Sequence, residues 1–177
     1  MVSVFPFAPI PLIVKFGELL GDKRSIDVFQ KSREPDTWCW TKKSTTNSFQ
    51  VYKIIRPEST CKGETAIILS LTAEVAEQRV LEVLDAAVIY HIRAENISVD
   101  CISSAEDLKA FWMEYQYVCD QIKNEDHCNS ASVFPAIPVS AAFEIGRRHM
   151  TGVHPILHIY EDNNGFFKTV TIGGSEI

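Results

Sequence analysis

The residues best suited to binding chemistry lie in a short apolar segment that runs into prolines and a serine, Ser132–Ser140. A proline in a first helical turn loses nothing, because its missing N–H would be unpaired there anyway. The remaining free N–H groups of such a turn can hold an anion such as phosphate. The segment predicts a buried strand, a proline-set turn and a helix that ends near Gly146. It supplies the candidate ligand-binding residues Pro135, Ala136, Ile137, Pro138 and Ser140.

The same pattern occurs near the amino terminus. Between residues 3–17 and 132–146, six of fifteen positions are identical without gaps. The segments that follow match in kind: Ser25–Phe29 pairs with Ile156–Tyr160 as a strand, and Thr37–Trp40 pairs with Phe166–Val170 as another. The sequence therefore predicts an internal duplication. The first copy contributes the candidate binding residues Phe7, Ala8 and Pro9.

A third candidate turn follows a continuous apolar run, Ala66–Leu71, which is typical of a central parallel strand. Ligands of open α/β sheets bind beyond the carboxyl ends of the strands. The candidate residues here are Ser70, Leu71, Thr72 and Ala73. Arg79 lies one turn into the helix that is expected from about Glu74 and is close enough to reach a phosphate, although a solvated surface role is equally open. Simple tight connections would explain these turns as well.

The elements that must position these turns alternate between strand and helix, which predicts an α/β fold with a mostly parallel sheet and helices on both faces. Phe49–Ile55 is an expected edge strand, Val88–Ile92 a buried strand and Ile97–Ile102 a shorter one. Ser103 and Glu106 fit a capping box that opens the longest helix.

Residues 1–48 hold only the second half of such a lobe, whereas residues 49–177 hold a complete lobe. The missing half is expected upstream in a longer protein or on another chain. Two lobes related by a pseudo-twofold axis would bring their turns together in one composite pocket, suited to a ligand with repeated phosphates.

Other reactive side chains give weaker patterns. His149, His154 and His158 have no cysteine or acidic partner at a recognisable ligand spacing, so no metal site is predicted. His127 and Cys128 are adjacent, but catalytic partners usually meet through the fold, so no catalytic residue is predicted.

Composition limits the class of protein. With 177 residues, 46% hydrophobic and 23% charged, the chain fits a soluble globular protein with one domain or one and a half small ones. A net charge of −6 argues against a broad nucleic-acid-binding surface, and the apolar runs are too short to cross a bilayer. Five cysteines without a CxxC pair favour a reducing cytoplasm.

The doubled F-P-x-x-P segment with its helix ending in glycine, the strand Ile67–Leu71, the acidic turn after the penultimate strand and the helix start Ser104–Leu108 together resemble the SAVED domain. The resemblance covers nearly the whole chain but only the carboxyl-terminal part of the usual domain. It implies two CARF-type, Rossmann-like lobes that bind a cyclic di- or oligonucleotide second messenger in bacterial anti-phage (CBASS) signalling, without a cofactor. It also implies self-association through the lobes and control of an effector, located upstream or on a partner chain.

Two alternatives to this sensor function stay open. A ring nuclease would cleave the same messenger and would need a general base or a cation positioned at the phosphate. An interaction module with a vestigial pocket would bind no messenger at all.

Overall fold

The computed structural model describes residues 1–32, 36–40, 46–59 and 61–174. The helix Ala105–Asp120 continues into a π-helical turn, Gln121–Glu125. The elements in chain order are β1 (Val2–Val4), α1 (Ile10–Leu20), β2 (Ile26–Val28), β3 (Phe49–Ile55), β4 (Cys61–Ser70), α2 (Glu77–Leu81), β5 (Ala86–Ala94), α3 (Ala105–Asp120), β6 (Ser130–Ala136), α4 (Val139–Arg147), β7 (Ile156–Asp162) and β8 (Phe166–Ile172).

Six strands form one sheet in the order β3-β5-β4-β6-β7-β8. The four inner strands are parallel to one another, and β3 and β8 join them antiparallel at the two edges. β1 and β2 form a separate parallel pair. The predicted α/β class with a mostly parallel sheet is confirmed, and so is the antiparallel edge made by the last two strands.

Strand β4 has apolar residues on both faces because both faces of the sheet are covered. Ile67 and Leu69 belong to a core that α1, α3 and α4 share, whereas Ile68 packs on the opposite face with Val75 and Val80. Alternate residues of a strand point to opposite faces, so a strand buried on both sides reads as one uninterrupted apolar run. Among the helices that the structure describes, the short helix α2 is the one that packs on the second face.

Three expected elements differ in the structure. Residues 97–102 form no strand, because the chain turns there before α3. The capping box lies one residue later than predicted: Ser104 Oγ accepts from Asp107 N at 3.0 Å, and Asp107 Oδ2 accepts from Ser104 N at 3.1 Å. Thr37 makes only an isolated bridge with Ser32, so the predicted strand Thr37–Trp40 does not form.

The helix that follows β4 begins later than expected. The sequence pattern predicts a start near Glu74, but α2 begins at Glu77 after a turn. The backbone N–H of Val75 donates to Ser70 Oγ at 3.0 Å instead of entering a helix. A serine that takes up a nearby N–H favours a turn over a helical start.

The internal repeat is visible in how the strands pair. Val4 of β1 lies opposite Val28 of β2, and Val133 of β6 lies opposite Ile159 of β7. These are the positions that the sequence repeat aligns with each other. A shift of one residue would move every side chain to the other face, so equal register means that both copies bury the same face.

Each copy also holds an aromatic triad built from one stacked pair and one edge-on ring. The stacked centroids lie 4.9 Å apart in the first copy and 4.4 Å apart in the second, and the edge-on rings lie 5.4 Å and 5.1 Å away. The triads are Phe5, Phe29 and Trp38, and Phe134, Tyr160 and Phe166.

Helices α1 and α4 join the two copies through a close backbone contact at Gly17 and Gly146. A methyl group on Gly17 would overlap the carbonyl of Phe143 and lie 2.8 Å from the amide nitrogen of Arg147. A methyl group on Gly146 would overlap the carbonyl of Val14 and lie 2.8 Å from the amide nitrogen of Glu18. These contacts are reciprocal under the repeat, so a pseudo-twofold axis passes between the two glycines.

Candidate functional site

Backbone hydrogen bonds join the carboxyl ends of three inner strands, β4, β5 and β6. The carbonyl of Ala136, which ends β6, accepts from the amides of Leu71 and Thr72 at 2.9 Å and 2.8 Å. The carbonyl of Leu71 in turn accepts from the amide of Ser98 at 3.1 Å. The turn after β4, the end of β6 and the loop after β5 therefore form one fixed rim.

A cleft of about 260 Å³ opens at this rim. It lies between the two copies, because three of its residues belong to the first and the others to the second. The lining residues are Phe7, Gln30 and Lys31 from the first copy, and Thr72, Val99, Asp100, Ile137, Pro138 and Val139 from the second.

The structure brings four of the predicted site residues to this cleft: Phe7, Thr72, Ile137 and Pro138. The other predicted residues surround it without lining it. Pro135 and Ala136 are half-buried at the end of β6, Leu71 is buried beneath the turn, Ala73 is exposed just beyond it, Pro9 precedes α1, and Ala8 lines a different cavity.

Ser70 supports the turn from below instead of facing the cleft. It is fully buried, and its Oγ lies 2.8 Å from His91 Nε2 while it accepts from the amide of Val75. Burial lowers the pKa of His91, and Nδ1 of the same ring lies 3.9 Å from Glu77 Oε1. A neutral His91 therefore holds Ser70 and, through it, the residues that lead from Thr72 to α2.

Ser140 is buried as well, and the anion seat predicted there is partly filled. Its amide donates to Gln30 Oε1 at 3.1 Å and its hydroxyl donates to the same oxygen at 2.8 Å. Gln30 follows β2, so the first copy caps the helix of the second with a neutral oxygen. The repeat-equivalent residue in α1 is Pro11, which has no N–H to offer.

Arg79 is not brought to the cleft. Its guanidinium makes two hydrogen bonds of 2.7 Å to the carboxylate of Asp162 and lies over the ring of Phe166, 5.0 Å from the centroid. The hydrogen bonds from Arg79 lower the pKa of Asp162. The pair links α2 to the end of β7, so Arg79, predicted as a ligand-binding residue, does not line the cleft.

The cation that does line the cleft is Lys31, which sequence reasoning missed. Its ammonium pairs with Asp36 and lies 5.8 Å from the ring centroid of Trp38. Gln30 and Lys31 follow β2 after Phe29. The rule that ligands bind beyond the carboxyl ends of strands would therefore have indicated both residues from the predicted strand. Asp100 was missed because residues 97–102 were assigned to a strand.

Another cavity, of about 550 Å³, lies on the first copy between β1 and α1. Two of its apolar residues, on α1, are exposed, although their equivalents in the second copy are buried. Leu12 is 57% exposed against 0% for Ala141, and Phe16 is 48% exposed against 1% for Ile145. In the second copy, β4 covers the corresponding edge of β6.

Two of the histidines considered as metal ligands, His149 and His154, lie together, with ring centroids 5.5 Å apart. Burial lowers the pKa of His149 to about 4, and it also lowers the pKa of His154. Among the residues that the structure describes, no three side chains of the metal-binding types gather in one place.

Comparison with known proteins gives a consistent result. Residues 1–172 match the family described as the SMODS-associated and fused to various effectors sensor domain, SAVED. No curated protein matches the chain. In the described part of the chain, no helix has the length and apolar content needed to cross a membrane.

Similar solved structures include receptors from Acinetobacter baumannii named Cap4 SAVED/CARF-domain containing receptor. The complex with the cyclic trinucleotide 3′3′3′-cAAA has a TM-score of 0.71 at 11% identity, and the complex with 2′3′3′-cAAA has a TM-score of 0.70 at 12% identity. Each match covers 96% of this chain, but only 38% and 37% of the receptor chains. The chain thus spans little more than a third of these receptors, and at these identities the likeness shows a shared fold.

Proposed function

The chain belongs to the SAVED family of sensor domains, and from this premise we propose that it binds a cyclic oligonucleotide in the cleft between its two copies. The observation that carries the proposal is the composition of the cleft, in which the carboxyl ends of strands from both copies meet around one cavity. The similar Cap4 receptors are described in complex with cyclic trinucleotides, which supports this ligand class.

The chemistry of the lining suits such a ligand. The ammonium of Lys31 offers a counter-charge to a phosphate, and the first turn of α4 adds backbone N–H groups beside Val139. Phe7 and Ile137 provide apolar surface against which a base can pack. The hydroxyl of Thr72 makes no hydrogen bond to any other described residue, so it is available to a ligand oxygen.

The division of the chain is part of the proposal. Residues 1–48 act as the second half of a first lobe, and residues 49–177 as a complete second lobe. The exposed edge of β1 and the apolar face of α1 receive the first half of the first lobe, just as β4 covers β6 in the second lobe. The burial of Ala141 and Ile145, against the exposure of Leu12 and Phe16, supports this arrangement.

Signal output lies outside the described site. Ligand binding across the lobe junction biases the lobes toward one arrangement, by as much as the ligand's affinity differs between arrangements. The domain acts as a nonenzymatic sensor that controls an effector elsewhere on the polypeptide or on a partner chain in anti-phage defence. Contacts between unlike lobe faces generate stacks or rings rather than closed dimers.

Calorimetry with 3′3′3′-cAAA, 2′3′3′-cAAA, cyclic di-AMP and linear triadenylate tests the proposal. We expect saturable one-to-one binding of a cyclic compound. The linear compound should bind at least about tenfold more weakly, because a ring loses less conformational entropy on binding than a flexible chain. Absence of binding to every cyclic compound would support a module with a vestigial pocket. Chromatography of the recovered ligand separates a sensor, which returns it intact, from a ring nuclease, which returns linear products.

A further inference from the structure

A second cavity of about 320 Å³ lies beside the cleft at the same rim. It is lined by polar side chains of the loop after β5 and of the segment before β3, among them Asn47, Glu95, Asn96 and Ser98. Asp100 lines both this cavity and the cleft, so the two spaces adjoin. The amide of Ser98 donates to the carbonyl of Leu71, which fixes the second cavity relative to the turn at Thr72.

The second cavity is the more negative of the two spaces. Asp100 lines both, but the cleft also holds the ammonium of Lys31, which pairs with Asp36, whereas the second cavity adds the carboxylate of Glu95 and has no cation among the described residues that line it. A phosphate is repelled by carboxylates and attracted by an ammonium. A ribose hydroxyl or an exocyclic amine, in contrast, donates a hydrogen bond that a carboxylate accepts strongly.

The side chains at the junction have unused hydrogen-bonding capacity. Neither Asp100 nor Asn96 has a side-chain hydrogen bond or ion pair with another described residue. Glu95 differs, because it already accepts from the hydroxyl of Ser48. Asp100 therefore offers an unused hydrogen-bond acceptor where the cleft adjoins the second cavity, within reach of a ligand that occupies both spaces.

We infer that the second cavity is a nucleoside subsite, in which Asp100 accepts a hydrogen bond from a ribose 2′-hydroxyl of the ligand and Asn96 contacts the attached base. This inference rests on the proposed binding of a cyclic oligonucleotide in the cleft. It fixes the orientation of the ligand, with a phosphate near Lys31 and the adjoining ribose over Asp100. It also makes the site selective for ribonucleotides.

The test compares Asp100→Asn with the unchanged chain by calorimetry, using 3′3′3′-cAAA and its fully 2′-deoxy analogue. Asparagine keeps the size of the side chain but is a weaker acceptor. The unchanged chain should bind the ribose compound at least about tenfold more tightly than the deoxy compound, and Asp100→Asn should lose most of that difference. Its affinity for the deoxy compound should stay within about twofold.

Asp22→Asn is the matched control, because Asp22 is exposed after the carboxyl end of α1 and its substitution removes the same charge away from the rim. Equal loss of affinity for both compounds, or tighter binding by Asp100→Asn, would overturn the subsite, since tighter binding means that Asp100 faces a phosphate. Both of those results leave binding in the cleft intact. If the unchanged chain binds neither compound but binds another cyclic compound of the panel above, the subsite fails and the proposed function stands. If it binds no cyclic compound, both fail.

Discussion

Substituting Gly146 with alanine tests the helix contact that joins the two copies. The added methyl group would overlap the carbonyl of Val14 and lie 2.8 Å from the amide nitrogen of Glu18. Both atoms belong to the backbone of α1, so side-chain rotation cannot relieve the overlap, and the helices must move apart by roughly 1 Å. A gap of that size forfeits a quarter to a half of each dispersion contact across it.

The magnitude follows from what α1 buries. Ile13 and Val14 are almost fully buried, and each contributes about 1.5–3 kcal/mol when packed. Partial loss of these contacts together with overpacking strain costs about 3–4 kcal/mol, and the better helix propensity of alanine returns about 1 kcal/mol. We expect a net loss of about 2–3 kcal/mol, or a Tm lower by roughly 4–12 °C for a chain of this size.

Urea unfolding followed by tryptophan fluorescence measures this loss. Gly174→Ala is the matched control, since a methyl group there makes only ordinary contacts, at 3.6 Å from Thr171 and 3.9 Å from Ile156. The control should change the free energy of unfolding by less than about 0.5 kcal/mol. An unchanged stability for Gly146→Ala would refute the close crossing of α1 and α4, and with it the pseudo-twofold arrangement that creates the cleft.

Three further predictions concern charge, pH and assembly. Gln30→Glu should stabilise the fold by about 0.3–1 kcal/mol, because a carboxylate is favourable at the start of α4. It should also weaken messenger binding, because the carboxylate occupies the position expected for an anion. Melting curves and calorimetry measure the two effects, with Gln50→Glu, at an exposed position of the edge strand β3 away from any helix start, as the control. The free energy of unfolding should fall as the pH drops from about 6.5 to 4, because His149 has a pKa of about 4 in the folded protein whereas the unfolded chain binds the proton already near pH 6.5. Urea titrations at pH 7.5 and 4.5 should show a contribution from this group of at most about 3 kcal/mol. His149→Asn should lack that contribution. The isolated chain should stay a monomer or small oligomer in light scattering with 3′3′3′-cAAA present. A longer polypeptide with a complete first lobe should instead form larger ligand-dependent assemblies. Ligand-driven stacking by residues 1–177 alone would contradict this prediction.

The sequence predicted the fold well where its signals were local or repeated. The run Ala66–Leu71 identified the central strand because a strand covered on both faces must be apolar throughout. The repeat of residues 3–17 in 132–146 identified α1 and α4 with their glycines. It did not reveal why glycine is required, since only the packed structure brings Gly17 against the backbone of α4.

The site was predicted less completely because its contacts cross between distant segments. Nothing in the local sequence shows that Gln30 caps the helix of Ser140, 110 residues later. Arg79 was a reasonable cation for a phosphate, but Asp162 across the sheet engages it. Asp100 escaped notice because the apolar residues between Ile97 and Ile102 suggested a strand, whereas they anchor a loop.

The most direct test of binding in the cleft is calorimetry of Thr72→Glu with 3′3′3′-cAAA. Thr72 lines the cleft and is half-buried, so a glutamate there places a negative charge beside the ligand phosphates without disturbing the buried core. Repulsion between like charges in a partly desolvated site should weaken binding by at least about thirtyfold, while Tm stays close to that of the unchanged chain. Thr151→Glu, at an exposed position outside the cleft, should bind normally. Normal binding by Thr72→Glu would contradict the account, because the messenger would then lie somewhere other than between the two copies.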